Sequence, residues 1–353
     1  MNSNNFMPLI HWLESVWYGR RPLAKALLWP WSVLFCLAVW VRRVYLQARQ
    51  QVFKVPVVVI GNISVGGTGK TPLTLYLTEL LQQAGYRVGI VSRGYGARPD
   101  KQMVRVVTYH SHPEDVGDEA LLLAMRAQVP VFIGRNRPAA IRALLAAQHC
   151  DVVLSDDGLQ HYRMGRAMEI VVIDGERRCG NGACLPAGPL REKPSRLQAC
   201  DFRVVNGKAT KADEYSMLIS GDTLQALLQP AEQLPLTTLR GKIVHAVTAI
   251  GNPQRFFAVL EQAGIQYQPH VFPDHHLFRG DEICFADRWP VIMTEKDAVK
   301  CRFLLDENTA VPYWYLPVRA ELDQDFAAAF LQRIEEVSQD GQKTTRHTGV
   351  SSD

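Results

Sequence analysis

One stretch, residues 57–74 (VVVIGNISVGGTGKTPLT), limits more than any other what this chain can fold into. The apolar run from Val57 to Ile60 predicts a buried strand, and a glycine-rich turn follows it. Lys70 and Thr71 then open a segment whose leucines recur on one side of a helix. Strand, glycine-rich turn, Lys-Thr and helix form the pattern of a phosphate-binding loop (P-loop), because the glycines let backbone N–H groups converge on an anion at a helix N-terminus.

The P-loop predicts a site for ATP and Mg²⁺. Lys70 would reach the β- and γ-phosphates, and the Thr71 hydroxyl would bind Mg²⁺. The strict pattern begins with glycine where this chain has Ser64, and a chance glycine-rich turn is the alternative; the strand before and the helix after favour the P-loop. The residues expected to bind the nucleotide here are Ser64, Val65, Gly66, Gly67, Thr68, Gly69, Lys70 and Thr71.

Length and composition set the remaining bounds. The 353 residues suffice for two domains, and 47% apolar with 21% charged residues is ordinary for a globular protein. A net charge of +4 is too small to indicate a nucleic-acid partner, and nothing in the pattern predicts a protein partner. The seven cysteines include no C-x-x-C pair, which predicts reduced thiols in a cytosolic compartment and neither a disulfide framework nor a zinc site.

Strand and helix patterns alternate from Gln51 onwards. We therefore predict an α/β fold: a P-loop NTPase-like, doubly wound, mainly parallel sheet, followed by a second, smaller α/β domain. The expected boundaries are 51–228 for the first domain, 229–338 for the second and 339–353 for a disordered tail. Predicted strands lie at 86–91, 104–107, 129–133, 151–154, 169–173, 242–247, 266–271 and 291–294, and predicted helices at 116–127, 137–148, 253–263, 280–286 and 322–337. Residues 174–200 form no periodic pattern and read as a long functional loop with five cations.

Residues 1–50 have a membrane-directed pattern. The run from Ala26 to Val41 contains no formal charge, includes three tryptophans and is flanked on both sides by arginine or lysine. Its 16 residues fall short of the ~20 that a spanning helix needs, and Pro30 interrupts its early part. We expect a membrane-associated helix, peripheral or shallowly inserted; a cleaved signal peptide and a buried core helix are the alternatives.

Acidic residues after a predicted strand point to the metal. Asp156 and Asp157 follow the apolar run DVVL, which is the position of the acid that binds Mg²⁺ opposite a P-loop; an ordinary Asp-Gly turn is the alternative. Asp118 in the run VGDEA is a candidate for the base that accepts the proton of an attacking hydroxyl, although acids in a first helical turn often only complement the helix dipole.

A histidine pair and a charged run lie further along the chain. His275 and His276 in FPDHHLF could reach the first domain and assist proton transfer, whereas a plain turn is the alternative. The run TEKD at 294–297 matches a guanine-reading motif only loosely, so we do not predict GTP.

Taken together, these runs resemble the tetraacyldisaccharide 4′-kinase family, the lipid A 4′-kinases of the inner membrane. The matching runs, in order, are GNISVGGTGKTP, SRGYG, GDEA, SDDGLQ, LPAGPLRE, FPDHHLF and TEKDAVK. The resemblance implies transfer of the γ-phosphoryl group of ATP to the 4′-hydroxyl of a tetraacylated glucosamine disaccharide 1-phosphate, a lipid A precursor. It also implies a cleft between two domains and a location on the cytoplasmic face of the inner membrane.

The resemblance assigns roles by motif. Lys70 and Thr71 serve the nucleotide and Mg²⁺, Asp156 or Asp157 the metal, and Gln160 of DDGLQ belongs to the same site. Asp118 takes the role of base, with His275 or His276 in support, and Glu192 of LPAGPLRE belongs to the metal or nucleotide site. A membrane-associated P-loop ATPase that works as a switch is the alternative function; Val65 stands where the deviant loop of that class carries lysine, which counts against it.

Overall fold

The computed structural model describes residues 7–19, 21–97, 104–229, 231–306, 309 and 311–347. Its helices are α1 (Met7–Trp17), α2 (Pro22–Gln47), α3 (Lys70–Gln83), α4 (Pro113–Val116), α5 (Asp118–Ala127), α6 (Arg137–Ala147), α7 (Pro253–Gln262), α8 (Gly280–Ile283), α9 (Glu295–Cys301) and α10 (Gln324–His347). Its strands are β1 (Val57–Gly61), β2 (Val88–Ser92), β3 (Arg105–Val107), β4 (Val131–Ile133), β5 (Val152–Ser155), β6 (Met168–Asp174), β7 (Phe202–Asn206), β8 (Tyr215–Ser220), β9 (Thr223–Ala226), β10 (Gln233–Pro235), β11 (Ile243–Thr248), β12 (Gln266–Val271), β13 (Val291–Thr294), β14 (Tyr313–Leu316) and β15 (Arg319–Leu322).

The strand before the P-loop lies at the centre of the larger sheet. Among the described residues this sheet has nine strands in the order β15-β8-β7-β6-β1-β5-β2-β4-β3. Pairing is parallel except at the two edges, where β3 and β15 run antiparallel to their neighbours. β1 pairs with β5 in the register Val59 to Ser155, so the P-loop and the Asp156-Asp157 pair leave adjacent strands at the same edge, where ligands bind in such sheets.

The alternation of side chains along β1 divides the core into two layers. Val58 and Ile60 point to one face, where α3, α5 and α10 pack, whereas Val57 and Val59 point to the other, towards α6 and residues 159–200. All four side chains are almost fully buried. Both faces of the central strands are therefore covered, as the near-continuous apolar runs predict.

The second, smaller sheet is also covered on both faces. Its six described strands lie in the order β10-β9-β14-β13-β11-β12, with the three pairings among β12, β11, β13 and β14 parallel. α7 covers one face, where Phe256 and Leu260 pack, and α8 and α9 cover the other, where Ile283 and Cys301 pack. The predicted α/β fold with a smaller second unit is confirmed in outline.

The expected division of the chain differs from the structure at both ends of the second unit. β9 already belongs to the second sheet, so that unit begins before residue 229. β15 returns to the edge of the first sheet, and α10 packs against it through Phe326, Phe330 and Ile334, although we had placed these residues in the second domain. α10 also continues to His347, into the stretch that we expected to be disordered from residue 339; residues 348–353 lie outside the described part. Periodicity alone identified the helix but did not indicate which sheet its apolar face covers.

The helix predicted over 116–127 is two helices. α4 ends at Val116 and α5 begins at Asp118, with Gly117 between them at φ +85°. A side chain at Gly117 would collide with the carbonyl oxygen of Tyr95, which would be 2.2 Å from its β-carbon. The break places Asp118 at the very start of α5, facing the second unit.

The N-terminal helix α2 is longer than its uncharged run. It extends over 26 residues and passes through Pro30, contrary to our expectation of an interruption. Pro30 is exposed, so the carbonyl group that loses its helical N–H partner there remains open to the surroundings. Among the described residues, α2 is the one helix long and apolar enough to cross a membrane, a test that rests on length and composition alone.

Candidate active site

Glycine backbone conformations and hydrogen bonds to neighbouring segments set the shape of the P-loop. Gly66 and Gly69 have φ of +101° and +95°, a region that side chains disfavour, and α3 begins directly after Gly69. The N–H of Val65 donates to the carbonyl of Pro189 at 2.9 Å, and Asn206 Nδ2 donates to the carbonyl of Thr68 at 3.1 Å. The unpatterned segment 174–200 and strand β7 therefore fix the two ends of the glycine-rich turn.

Lys70 reaches the aspartate pair across the P-loop. Its ammonium group lies 3.4 Å from Asp157 Oδ1 and 3.5 Å from Asn62 Oδ1. Burial disfavours the charged form of Asp157, but Lys70, Arg191 and Arg137 outweigh it, and the pKa of Asp157 stays below its ordinary value. Lys70 and Asp157 thus face each other at the edge of the sheet where the P-loop lies.

Asp156 is the more buried member of the pair. Its side chain is about 1% exposed, Oδ1 accepts from Thr74 Oγ1 at 3.2 Å, and Oδ2 has no hydrogen-bond partner. Burial, with Glu119 and Asp157 as like charges, raises the pKa of Asp156 to about 7. A carboxylate oxygen without a partner at this depth is an arrangement that a bound cation would satisfy.

The donor set fits Mg²⁺ better than a transition metal. Among the described residues, no group of three or more His, Cys, Asp or Glu side chains is arranged to hold a metal by itself. Mg²⁺ does not require one, because it retains waters and binds through one or two carboxylates and the phosphates of its substrate. Asp156, Asp157 and the Thr71 hydroxyl are the groups predicted to supply such ligands.

Gln160 and Glu192 form a buried network beside the P-loop. Gln160 Nε2 donates to the carbonyl of Asn62 at 2.9 Å and to Glu192 Oε1 at 3.0 Å. Glu192 also accepts a short hydrogen bond from the Tyr162 hydroxyl, and its Oε2 lies 3.6 Å from Arg196 Nε. Both residues thus lie next to the P-loop, and the carboxylate of Glu192 contacts Gln160, Tyr162 and Arg196.

Asp118 and His275 meet across the two units. His275 Nδ1 lies 3.0 Å from Asp118 Oδ2 and 3.2 Å from Oδ1, although 157 positions separate the two residues in the chain. Burial disfavours the Asp118 carboxylate, but the hydrogen bond from His275 and the charge of Lys296 outweigh it and lower the pKa of Asp118. The ring of Tyr95 lies against His275, with 4.6 Å between ring centroids.

The structure separates the two histidines that the sequence left open. His276 Nε2 pairs with Glu282 Oε2 at 2.9 Å, and its ring stacks on Phe272, so it stabilises its own loop. His275 adopts a left-handed φ of +61° and is the member that reaches Asp118. Our inclusion of His276 as a catalytic candidate is not supported by this placement.

The loop that carries His275 lies close to the P-loop. A β-carbon on Gly251, in the loop after β11, would be 3.3 Å from Asp274 Oδ2 and 3.9 Å from the backbone nitrogen of Gly67. The second unit therefore approaches the phosphate-binding turn, and the Asp118–His275 pair lies within the same cleft. A site with cations at one wall and a hydrogen-bonded carboxylate at another can bind a nucleotide and accept a proton from a second substrate.

Comparison with known proteins decides the family. A family model described as Tetraacyldisaccharide-1-P 4'-kinase (LpxK) matches residues 24–335. The chain belongs to the LpxK family. The resemblance predicted from the sequence runs is confirmed.

Relatives can be aligned with this chain over nearly its full length. The tetraacyldisaccharide 4'-kinase of Methylobacillus flagellatus is 46% identical over 329 residues, which cover 92% of this chain and 96% of the relative. The tetraacyldisaccharide 4'-kinase of Nitrosococcus oceani is also 46% identical, covering 91% and 94%. A crystal structure of LpxK from Aquifex aeolicus in complex with ATP superposes with a TM-score of 0.74 at 25% identity, covering 89% of this chain and 99% of that one.

Three site contacts of this LpxK chain were not predicted from its sequence. Lys296 contacts the Asp118–His275 pair, Asn62 contacts Lys70, and Asn206 supports the P-loop. Lys296 is the second residue after the strand VIMT, in a run of charges that we had considered as a guanine-reading motif and as part of the family resemblance, without giving Lys296 a role. Asn62 follows the end of β1 and Asn206 is the last residue of β7, at the edge where polar residues commonly line ligand sites.

Proposed function

We propose that this chain transfers the γ-phosphoryl group of ATP to the 4′-hydroxyl of a tetraacylated glucosamine disaccharide 1-phosphate, a lipid A precursor. The observation that carries the proposal is the approach of a P-loop with Lys70 on one unit to the Asp118–His275 pair built from both units. Membership of the LpxK family supports the same reaction and the use of ATP with Mg²⁺.

Each residue has a distinct task in the reaction. The P-loop amides and Lys70 bind the phosphates, which keeps the terminal phosphorus fixed against attack. Asp118 accepts the proton of the sugar hydroxyl, while His275 donates a hydrogen bond from Nδ1 that orients the carboxylate. Thr71 with Asp156 or Asp157 would hold Mg²⁺, which would supply positive charge to the phosphates.

The lipid acceptor is reached from the membrane surface. Lys25, Ser32 and Arg42 of α2 bond to the carbonyls of Asn181, Cys184 and Gln160, so one face of the helix is attached to the body over roughly 25 Å. The remaining surface of the helix is largely exposed and apolar, with members Leu27, Trp31, Leu34, Leu37, Val41 and Val44. This arrangement supports a helix that lies along the bilayer surface, on the cytoplasmic side where ATP is available.

A cavity beside α2 offers a place for part of the lipid. It has a volume of about 760 Å³ and lies between α2 and residues 182–199, with Trp29, Trp40 and Arg43 on one wall and Glu192 and Arg196 on the other. Its walls connect the membrane-facing helix with the network next to the P-loop. We place an acyl chain or the glucosamine backbone of the acceptor there, below the exposed face of the helix.

One assay tests the proposed reaction. The full chain in detergent is mixed with Mg²⁺, γ-labelled ATP and the tetraacylated disaccharide 1-phosphate, and the lipid fraction is analysed by mass and label. The expected product carries one additional phosphoryl group at the 4′ position. Release of labelled phosphate without labelled lipid would overturn the proposal and would favour the ATPase switch. Lys70→Met provides the control, since residual lipid labelling at wild-type rate would indicate a contaminating kinase.

A further inference from the structure

The charged run TEKD has no role in the mechanism given above. It opens α9, and its three charged residues make three separate contacts. Glu295 forms an ion pair with Arg126 of α5, and Asp297 accepts from the N–H of Ala249 and from Thr294 Oγ1. These two residues join elements to one another, which is a structural task. Lys296 instead points to the Asp118–His275 pair.

Lys296 is surrounded by the groups that position the base. Its ammonium nitrogen lies 3.1 Å from Glu119 Oε1, 3.4 Å from Asp274 Oδ1, 3.4 Å from His275 Nε2 and 3.9 Å from Asp118 Oδ2. Burial disfavours its charge, but the carboxylates of Glu119, Asp118 and Asp274 outweigh burial and raise the pKa of Lys296 above its ordinary value. Lys296 is therefore protonated and positively charged at neutral pH.

Two charged groups face His275 Nε2: the Lys296 ammonium at 3.4 Å and Asp274 Oδ2 at 3.8 Å. The ammonium is the nearer and can only donate, so in the neutral ring Nε2 accepts and carries no proton. The ring proton is then on Nδ1, where it donates to Asp118 Oδ2. We propose that Lys296 is a positioning residue that opposes a second proton on His275 and so widens the pH range in which the neutral ring leaves Asp118 as the proton acceptor; this inference rests on the proposed function.

The charges around His275 explain why a cation is required. Asp118 and Asp274 both favour the charged imidazolium, and the hydrogen bond to Asp118 raises the pKa of His275 above its ordinary value even though burial lowers it. A second proton on His275 would turn the pair into an ion pair, in which Asp118 is a weaker base. Lys296 opposes that protonation from the Nε2 side. The groups that face the pair from the elements around it are Glu119 of α5, Lys296 and Lys300 of α9, Asp274 and Tyr95.

Nuclear magnetic resonance of labelled histidine tests the inference without any substrate. In the full chain carrying ¹⁵N-histidine, His275 is assigned by the loss of its signals in His275→Gln. At pH 9, where even an imidazole of raised pKa has lost its second proton, the wild-type chain is expected to show an unprotonated Nε2 and a protonated Nδ1. In Lys296→Met the pH at which His275 becomes doubly protonated should rise by about 1 unit, the effect of removing one close cation.

Two further variants serve as matched controls. Lys296→Arg retains the charge and should retain the wild-type titration of His275. Arg126→Met removes an ion pair between the same helices, α5 and α9, without contacting His275, and should leave the titration unchanged. Equal titration in Lys296→Met and wild type, or an equal rise in Arg126→Met, would overturn the inference. If Lys296→Met does not fold, Lys296→Gln replaces it. A protonated Nε2 in the wild-type chain at pH 9 would by itself overturn the inference.

The kinase reaction gives the second readout. In Lys296→Met the acid limb of kcat/KM should move to higher pH by about 1 unit, so that kcat/KM falls about tenfold below the limb and recovers above it. Lys296→Arg should follow the wild-type profile, and an unshifted limb in Lys296→Met would overturn the inference. If the wild-type chain labels no lipid, the proposed function fails, while the histidine spectra still decide whether Lys296 sets the state of His275.

Discussion

At the scale of single residues, Lys70 pairs with Asp157 in the structure and is expected to pair with the phosphates of a bound nucleotide. Without nucleotide it lies beside Asp157, and with nucleotide it would turn to the phosphates, a change that the 3.4 Å separation makes short. Charge neutralisation and alignment supply most of the rate enhancement in phosphoryl transfer, whereas a positioned base increases the rate by about 10²–10⁴-fold. We therefore expect Lys70→Met to lower kcat/KM at least as much as Asp118→Asn. Steady-state kinetics of both variants check this order, and a milder loss in Lys70→Met would contradict it.

The two adjacent histidines form a natural pair of matched variants. His275→Gln removes the hydrogen bond to Asp118 and should lower kcat by about tenfold or more with little change in the melting temperature. His276→Gln removes the bond to Glu282 and should lower stability by about 1 kcal/mol while kcat stays near wild type. Kinetics and thermal unfolding of both variants separate the two roles. An equal loss of kcat in both would show that the whole loop, and not His275, is what matters.

The buried carboxylate of Asp156 predicts a conflict between stability and activity. Because burial raises the pKa of Asp156 to about 7, the group is charged at pH 8 and its Oδ2 has no hydrogen-bond partner. Asp156→Asn removes that charge and should stabilise the metal-free protein at pH 8 by about 1–3 kcal/mol. The same variant should lose the stabilisation that Mg²⁺ gives to the wild type. Thermal unfolding in a chelator and in Mg²⁺ measures both effects; a lower melting temperature in the chelator would contradict the account.

At the scale of elements, the two faces of α2 should separate membrane binding from stability. Trp31, Leu34 and Leu37 lie on the exposed face, whereas Phe35 packs against the core. Replacing the three exposed residues by serine should weaken binding to anionic vesicles more than about tenfold, since each loses apolar area that the bilayer would bury. Phe35→Ser should instead lower the melting temperature. Vesicle sedimentation and thermal unfolding test the pair, and equal vesicle binding by the triple variant and wild type would refute the surface role.

Elements whose signals are local were predicted from the sequence, and those set by distant contacts were not. β1, the P-loop and α3 follow from an apolar run, glycines and a helical repeat within twenty residues. β15 was missed because its sequence, RAEL, has no strand pattern of its own and pairs with β8 about 100 positions earlier. The Asp118–His275 contact likewise depends on how two units meet, so the sequence could name both residues but not choose between His275 and His276.

At the scale of the whole molecule, the chain crosses between the two sheets twice. It leaves the first sheet after β8, builds the second, and returns through β15 to the edge it left. The Asp118–His275 and Arg126–Glu295 contacts join the units again near the cleft. Two covalent crossings and two polar contacts thus join the units, and they hold His275 and Asp118 in contact at the cleft.

This return of the chain predicts the outcome of two truncations. Phe326 and Phe330 of α10 are fully buried against the first sheet, where Phe326 meets Phe202 with 5.5 Å between ring centroids. Removal of residues 319–353 deletes both rings, and each costs about 3–5 kcal/mol, so their sum approaches the whole stability of a domain. Removal of residues 339–353 leaves both rings and Ile334 in place and should melt as the full chain does. Circular dichroism and binding of a fluorescent ATP analogue compare the two; nucleotide binding by the shorter chain would mean that the P-loop sheet folds without α10.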